Sequence, residues 1–225
     1  MDRKGRDLEY ANRRRRYPMR KAMTALLIAL LAAAGSGSGL ACVGRTIVVG
    51  YYDTPDQVMV ANILAVFIDE RTGTTVRLSR FENRDEAFAA IRSDRISLLA
   101  DYAGIVLSRF GGETPGPDRE KNVSRVREVL NRKYNVLWLE PFGYDRVFSP
   151  EARGNPSRDG AGPDPGGAGL MLCKDSLSRF PALPRLLGKL KGMLDNGTME
   201  ELLRESARSD PKSVARKFLK SRKLI

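Results

Sequence analysis

The chain has 225 residues, 42% of them hydrophobic and 29% charged, with a mean hydropathy of -0.35, a soluble-protein composition with room for one or two cored domains. Histidine is absent and cysteine occurs only at Cys42 and Cys173, which argues against a zinc site and against histidine-based catalysis. The net charge of +12 is unevenly placed: residues 1–21 hold nine Lys/Arg against three Asp/Glu, and no later basic run is interleaved with aromatics, so nucleic acid is not an expected partner.

Arg13 to Arg16 and the pair Arg20-Lys21 precede an apolar stretch from Ala22 to Ala34, followed by Gly35-Ser36-Gly37-Ser38-Gly39-Leu40-Ala41-Cys42. A basic region, a short apolar region and a small-residue region are the parts of a secretory signal. The apolar stretch is shorter than the about 20 residues that span a bilayer. Leu40-Ala41-Cys42 resembles the lipobox of bacterial lipoproteins, with Gly39 standing where an aliphatic residue is usual. Small residues at 39 and 41 also suit ordinary signal cleavage. Residues 1–42 are therefore read as a signal peptide, with Cys42 as the candidate lipidation site and Cys173 as a core thiol. The expected location is extracytoplasmic, either anchored to the membrane through that lipid or free in the periplasm.

Beyond this leader, Thr46 to Tyr51 is a β-branched run that predicts a buried strand. Apolar residues at 59, 60, 63, 64, 67 and 68 predict a helix over 56–71 that Gly73 stops. Thr75 to Leu78 reads as a second strand, Arg84 to Ser93 as a second helix and Ile96 to Leu99 as a third strand. An apolar helix follows Tyr102-Ala103-Gly104. Asp118 to Tyr134 is amphipathic, and Val136 to Leu139 is a further strand. From 149 to 167 the apolar pattern gives way to Gly, Pro and Asp, which reads as a linker. Gly169 to Leu172 restores a strand, and helical segments over 182–194, 198–207 and 211–221 complete the chain. Alternation of strand and helix predicts an α/β fold with a mostly parallel sheet flanked by helices.

Several stretches in this order resemble the substrate-binding proteins of glycine betaine, choline and carnitine (osmoprotectant) ABC transporters. Ile47-Val48-Val49-Gly50 with Asp56-Gln57 is similar to the family's opening strand, ligand loop and helix start. Arg71-Thr72-Gly73-Thr74-Thr75-Val76 is similar to its "kTGlkV" turn, and Ile96 through Gly104 to its "IDLYPEYTG" segment. Leu137-Trp138-Leu139-Glu140-Pro141-Phe142-Gly143-Tyr144 resembles the strand that leads into its second lobe. Phe180-Pro181-Ala182-Leu183 and Asp210 to Leu219 resemble its closing segments. The resemblance implies a type II periplasmic-binding-protein-like fold, with a first lobe over 43–148 and a C-terminal return over 168–225. Only the linker 149–167 stands where most of a second lobe would be, so that lobe is read as reduced.

The same resemblance implies a non-enzymatic solute-binding lipoprotein that takes a quaternary amine, uses no cofactor and works with ABC permease and ATPase subunits. A methylated cation offers few hydrogen-bond donors and sits against aromatic faces. Tyr102 matches the family's second tyrosine, while Leu99 stands where the first would be. Tyr51, Tyr52 and Asp53 lie in the first ligand loop. The candidate ligand-binding residues are thus Tyr102, Tyr52, Tyr51 and Asp53. Packing roles remain open for the tyrosines, as does a helix N-terminal role for Asp53 and Asp101. The alternative function is a lipoprotein that keeps the lobe, has lost the ligand and serves as an interaction or structural protein.

Overall fold

The computed structural model describes residues 46–139, 142–145 and 164–225. The leader 1–42 with its Cys42, and most of the linker 149–167, lie outside these residues, as do Glu140 and Pro141.

Five strands form one sheet: β1 (Ile47–Tyr52), β2 (Val76–Phe81), β3 (Leu98–Tyr102), β4 (Val136–Trp138) and β5 (Ala168–Cys173), in the order β2-β1-β3-β5-β4. β1 is parallel to β2 and β3, with Tyr52 opposite Phe81 and Val49 opposite Leu98. β5 is antiparallel to both of its neighbours, with Ala168 opposite Tyr102 and Val136 opposite Cys173. Four strands therefore run one way and β5 runs against them. The sequence pattern did not reveal that reversal, because it depends on where the chain re-enters. Ala168 arrives beside Tyr102, at the C-terminal edge of β3, so β5 must run back from there.

The side-chain period of two distributes each strand between two apolar layers. Leu98, Ala100 and Tyr102 join Leu170 and Leu172 on one face, while Leu99 joins Met171 and Cys173 on the other. The first face is covered by α1 (Pro55–Thr72), α7 (Asn196–Ser206) and α8 (Pro211–Ser221). The second is covered by α2 (Arg84–Arg92), α3 (Ala103–Val106) with its π-helical continuation Leu107–Gly111, and α4 (Arg119–Tyr134). Two short helices, α5 (Lys174–Arg179) and α6 (Leu183–Leu187), connect β5 to α7. The expected helix over 182–194 is shortened to α6 plus a 3-10 turn at Gly188–Leu190, with Gly192 at φ +66° beyond it.

Helix ends carry the local signals that the sequence supplies. Gly73 takes φ +66° and donates its N–H to the Asp69 carbonyl at 2.8 Å, which closes α1. Asn83, Asp118, Asp195 and Asp210 cap α2, α4, α7 and α8 by accepting backbone N–H bonds. Both apolar clusters lie wholly within the compact unit Gly44–Ile225. A compact unit with its own hydrophobic core is the size and build of a folding domain. Cys173 is a buried free thiol, and no helix of the described residues is long and apolar enough to cross a membrane.

Candidate functional site

The order β2-β1-β3 reverses direction at β1, and α/β folds place ligands at the strand C-termini beside such a reversal. A buried polar cluster stands there, divided between the two faces of the sheet.

On one face Tyr52 ends β1 and Asp101 lies within β3. The Tyr52 hydroxyl donates to Asp101 Oδ1 at 3.1 Å, and Arg84 Nε, from the first turn of α2, donates to the same oxygen at 3.1 Å. A second Arg84 nitrogen donates to the Tyr52 oxygen at 3.0 Å, and the guanidinium lies 5.0 Å from the Tyr52 ring centroid. The backbone N–H of Tyr102 completes the set, donating to Asp101 Oδ1 at 2.8 Å. Burial, aided by the neighbouring Asp101 charge, pushes the Tyr52 hydroxyl pKa well up and keeps it a neutral donor.

On the other face the Tyr102 hydroxyl donates to Asp56 Oδ2 at 2.9 Å, and Thr54 Oγ1 donates to Asp56 Oδ1 at 2.7 Å. Asp56 is 1% exposed in the first turn of α1, where the helix dipole favours a carboxylate. Burial nevertheless dominates and raises its pKa. Tyr144 sets its ring edge-on to Tyr102, with centroids 5.8 Å apart. Three phenol rings, two carboxylates and one guanidinium thus stand at this end of the sheet, divided between its two faces.

Gln57 follows Asp56 in α1 and is 1% exposed, yet neither its amide nitrogen nor its oxygen has a hydrogen-bond partner; Asp101 Oδ2 is buried in the same condition. Buried polar atoms left unpaired cost on the order of 1–3 kcal/mol each.

The returning chain closes over this edge. Asp164 accepts the backbone N–H groups of Gly104 (2.8 Å) and Gly166 (2.9 Å) on Oδ1, and that of Ile105 (3.0 Å) on Oδ2. Ala103 N–H donates to the Gly167 carbonyl at 2.9 Å, and Ala168 N–H donates to the Tyr144 carbonyl at 2.9 Å. Segments 142–145 and 164–168 are therefore joined to each other and laid on the start of α3.

Of the residues singled out from sequence, Tyr52 and Tyr102 enter the cluster. Tyr51, one position earlier, falls on the opposite face of β1 from Tyr52 and is half-buried against the first core layer. Asp53 is about 60% exposed and pairs with Arg80 at 2.6 Å. Asp101 lies in β3 rather than at a helix N-terminus. Sequence reading missed Arg84, Tyr144, Asp164 and the part played by Asp56. Asp56 carries a signal, as the acid two residues after Thr54 at a helix start, and Tyr144 ends the quoted 137–144 motif. Among the described residues no group of three or more His, Cys, Asp or Glu side chains is placed to hold a metal.

Residues 45–149 match the family model described as the substrate binding domain of an ABC-type glycine betaine transport system, a family of binding proteins rather than enzymes. No curated protein matches the sequence significantly. Among solved structures, a glycine betaine/carnitine/choline ABC transporter protein aligns with a TM-score of 0.68 at 13% identity, covering 79% of this chain and 99% of that one. Apo YehZ from Escherichia coli aligns at 0.67 and 12%, covering 80% and 100%. Lactococcal OpuAC, closed on glycine betaine, aligns at 0.50 and 10%, covering 80% and 96%. At these identities the likeness is one of fold: a type II periplasmic-binding-protein-like lobe with a mixed five-stranded sheet between helical layers.

Proposed function

We propose, on the premise of that family likeness, that the chain is an extracytoplasmic solute-binding protein of an osmoprotectant-type ABC importer and takes a quaternary amine at the tyrosine–carboxylate edge of the sheet. The observation that carries the reading is the buried Tyr102–Asp56 pair, with the buried, unpaired Gln57 amide one residue after Asp56 in α1. Phenol faces suit a methylated cation that lacks N–H donors, and the carboxylates of Asp56 and Asp101 outnumber the one guanidinium of Arg84. The Gln57 amide supplies a donor for a ligand carboxylate.

Entry of the solute requires the 142–145 and 164–168 segments to lift from the edge, a hinge motion of the kind that binding proteins use. Delivery then involves permease and ATPase subunits, and a lipid on Cys42 holds the protein at the membrane. The rival reading, a lobe that has lost its ligand and serves as an interaction or structural lipoprotein, draws on the depth of burial: Tyr102 is 1% and Tyr144 0% exposed.

Calorimetric titration of residues 44–225 with glycine betaine, choline and carnitine tests the proposal. Saturable heat with at least one of them, abolished in Tyr102→Ala, is the expected result. Heat that survives that substitution would move the site elsewhere, and no heat with any amine would favour the rival.

A further inference from the structure

At the opposite end of β1 from Tyr52, a groove of about 510 Å³ lies between the C-terminal half of α1 and the α5–α6 connection. Its walls include Ile47, Ile68, Phe180, Leu183 and Leu186. β1 advances about 3.3 Å per residue, so this groove is well separated from the tyrosine edge, on the side where α/β folds do not place their solutes.

The rim is cationic. Arg185 and Lys189 stand four residues apart along α6 and the 3-10 turn, both exposed, and neither has an anionic partner among the described residues. Arg179, also on the rim, is held by Asp94 at 2.7 Å. Exposed Pro181 and Ala182 adjoin these charges, giving apolar and basic surface side by side. The groove also lies where the chain enters the lobe, since Ile47 opens β1. Four residues separate Ile47 from Cys42, five residue steps that reach at most about 18 Å when extended.

We propose that this groove docks an anionic phospholipid of the membrane surface, an acyl segment lying along Ile68, Phe180 and Leu186 and the phosphate between Arg185 and Lys189. A volume in the range of ordinary small-molecule sites, about 300–1,000 Å³, accommodates part of one chain. Two basic side chains give the headgroup its attraction. The inference rests on the reading of the chain as held at a membrane, and it fixes which face of the lobe meets the bilayer.

Co-sedimentation of residues 44–225 with vesicles tests it, comparing 30% phosphatidylglycerol in phosphatidylcholine with phosphatidylcholine alone. Binding is expected only to the anionic vesicles, and Arg185→Glu with Lys189→Glu reduces it by about 30-fold or more. Leu186→Asp weakens it with the rim charges intact, whereas Lys212→Glu with Lys220→Glu, on α8, leaves most of it. Circular dichroism verifies folding of each variant. Equal binding to both vesicle types, no binding, or a loss that follows the α8 changes instead of the α6 changes would overturn the proposal. The Arg185/Lys189 variant retains any quaternary-amine heat, so failure here is distinguishable from failure of the solute site.

Discussion

The Tyr102 hydroxyl donates to the Asp56 carboxylate at 2.9 Å, and this bond ties the end of β3 to the first turn of α1 across the mouth of the sheet. One residue earlier in the same strand, Asp101 faces the other layer and binds Tyr52 and Arg84. Strand alternation thus gives both sides of one edge the same chemistry, a phenol donating to a buried carboxylate.

Tyr102→Phe removes the donor and leaves Asp56 Oδ2 buried without it. The expected cost is about 1–3 kcal/mol in urea unfolding of residues 44–225. A cost no greater than that of Tyr51→Phe, at a half-buried tyrosine outside the cluster, would mean that the bond contributes nothing.

Breaking the opposite cluster is more severe. Arg84 and Asp101 side chains are 9% and 0% exposed, so Arg84→Ala strands a buried carboxylate and is expected to cost about 3–5 kcal/mol. Arg84→Met with Asp101→Leu recovers much of that loss, because it removes both charges together. Unfolding curves of the single and double variants decide the matter; a double variant as unstable as the single one speaks against a charge-pairing origin.

Asp56 gives stability a definite pH dependence. Burial holds its folded-state pKa above the unfolded value near 3.9, so the folded state binds this proton more tightly. As pH rises from below about 3.9 through the raised folded value, the buried charge forms and the wild type loses stability relative to Asp56→Asn. Denaturation of both proteins at a series of pH values from about 3.5 to 7 should show this difference growing with pH and then levelling. A difference that is flat, or that grows on acidification, contradicts the assignment. Asp164, raised by burial in the same direction, is common to both proteins and cancels.

Asp164→Ala frees the N–H groups of Gly104, Ile105 and Gly166. A stability loss of about 1–3 kcal/mol is expected, together with stronger binding of a quaternary amine, because the carboxylate that holds the cover in place is gone. Weaker binding in this variant would mean that Asp164 belongs to the ligand site rather than to its cover.

Much of the lobe could be read from the sequence because its signals are local. The apolar stripe of α1, the stop at Gly73 and the β-branched run of β1 each act within a few residues. β5 was harder, since its place between β3 and β4 depends on the close approach of Gly169 to Trp138. A Cβ at Gly169 would lie 2.4 Å from the indole ring, and no local pattern encodes that contact. The site divides in the same way. Tyr52 and Tyr102 sit in motif-bearing strands and Tyr144 ends the 137–144 motif, whereas Arg84 and Asp164 reach the edge from positions 32 and 112 residues beyond Tyr52, brought there by tertiary packing alone.

The most direct test of solute binding is a thermal melt of residues 44–225 with and without millimolar glycine betaine, choline or carnitine. A ligand at about 100 times its Kd stabilises the native state by roughly 2.7 kcal/mol, which for a chain of this size raises Tm by roughly 5–10 °C. Such a rise is expected with at least one of the three, and is lost in Tyr102→Ala. An unchanged Tm with all three, in a sample that melts cooperatively, contradicts the proposed solute binding.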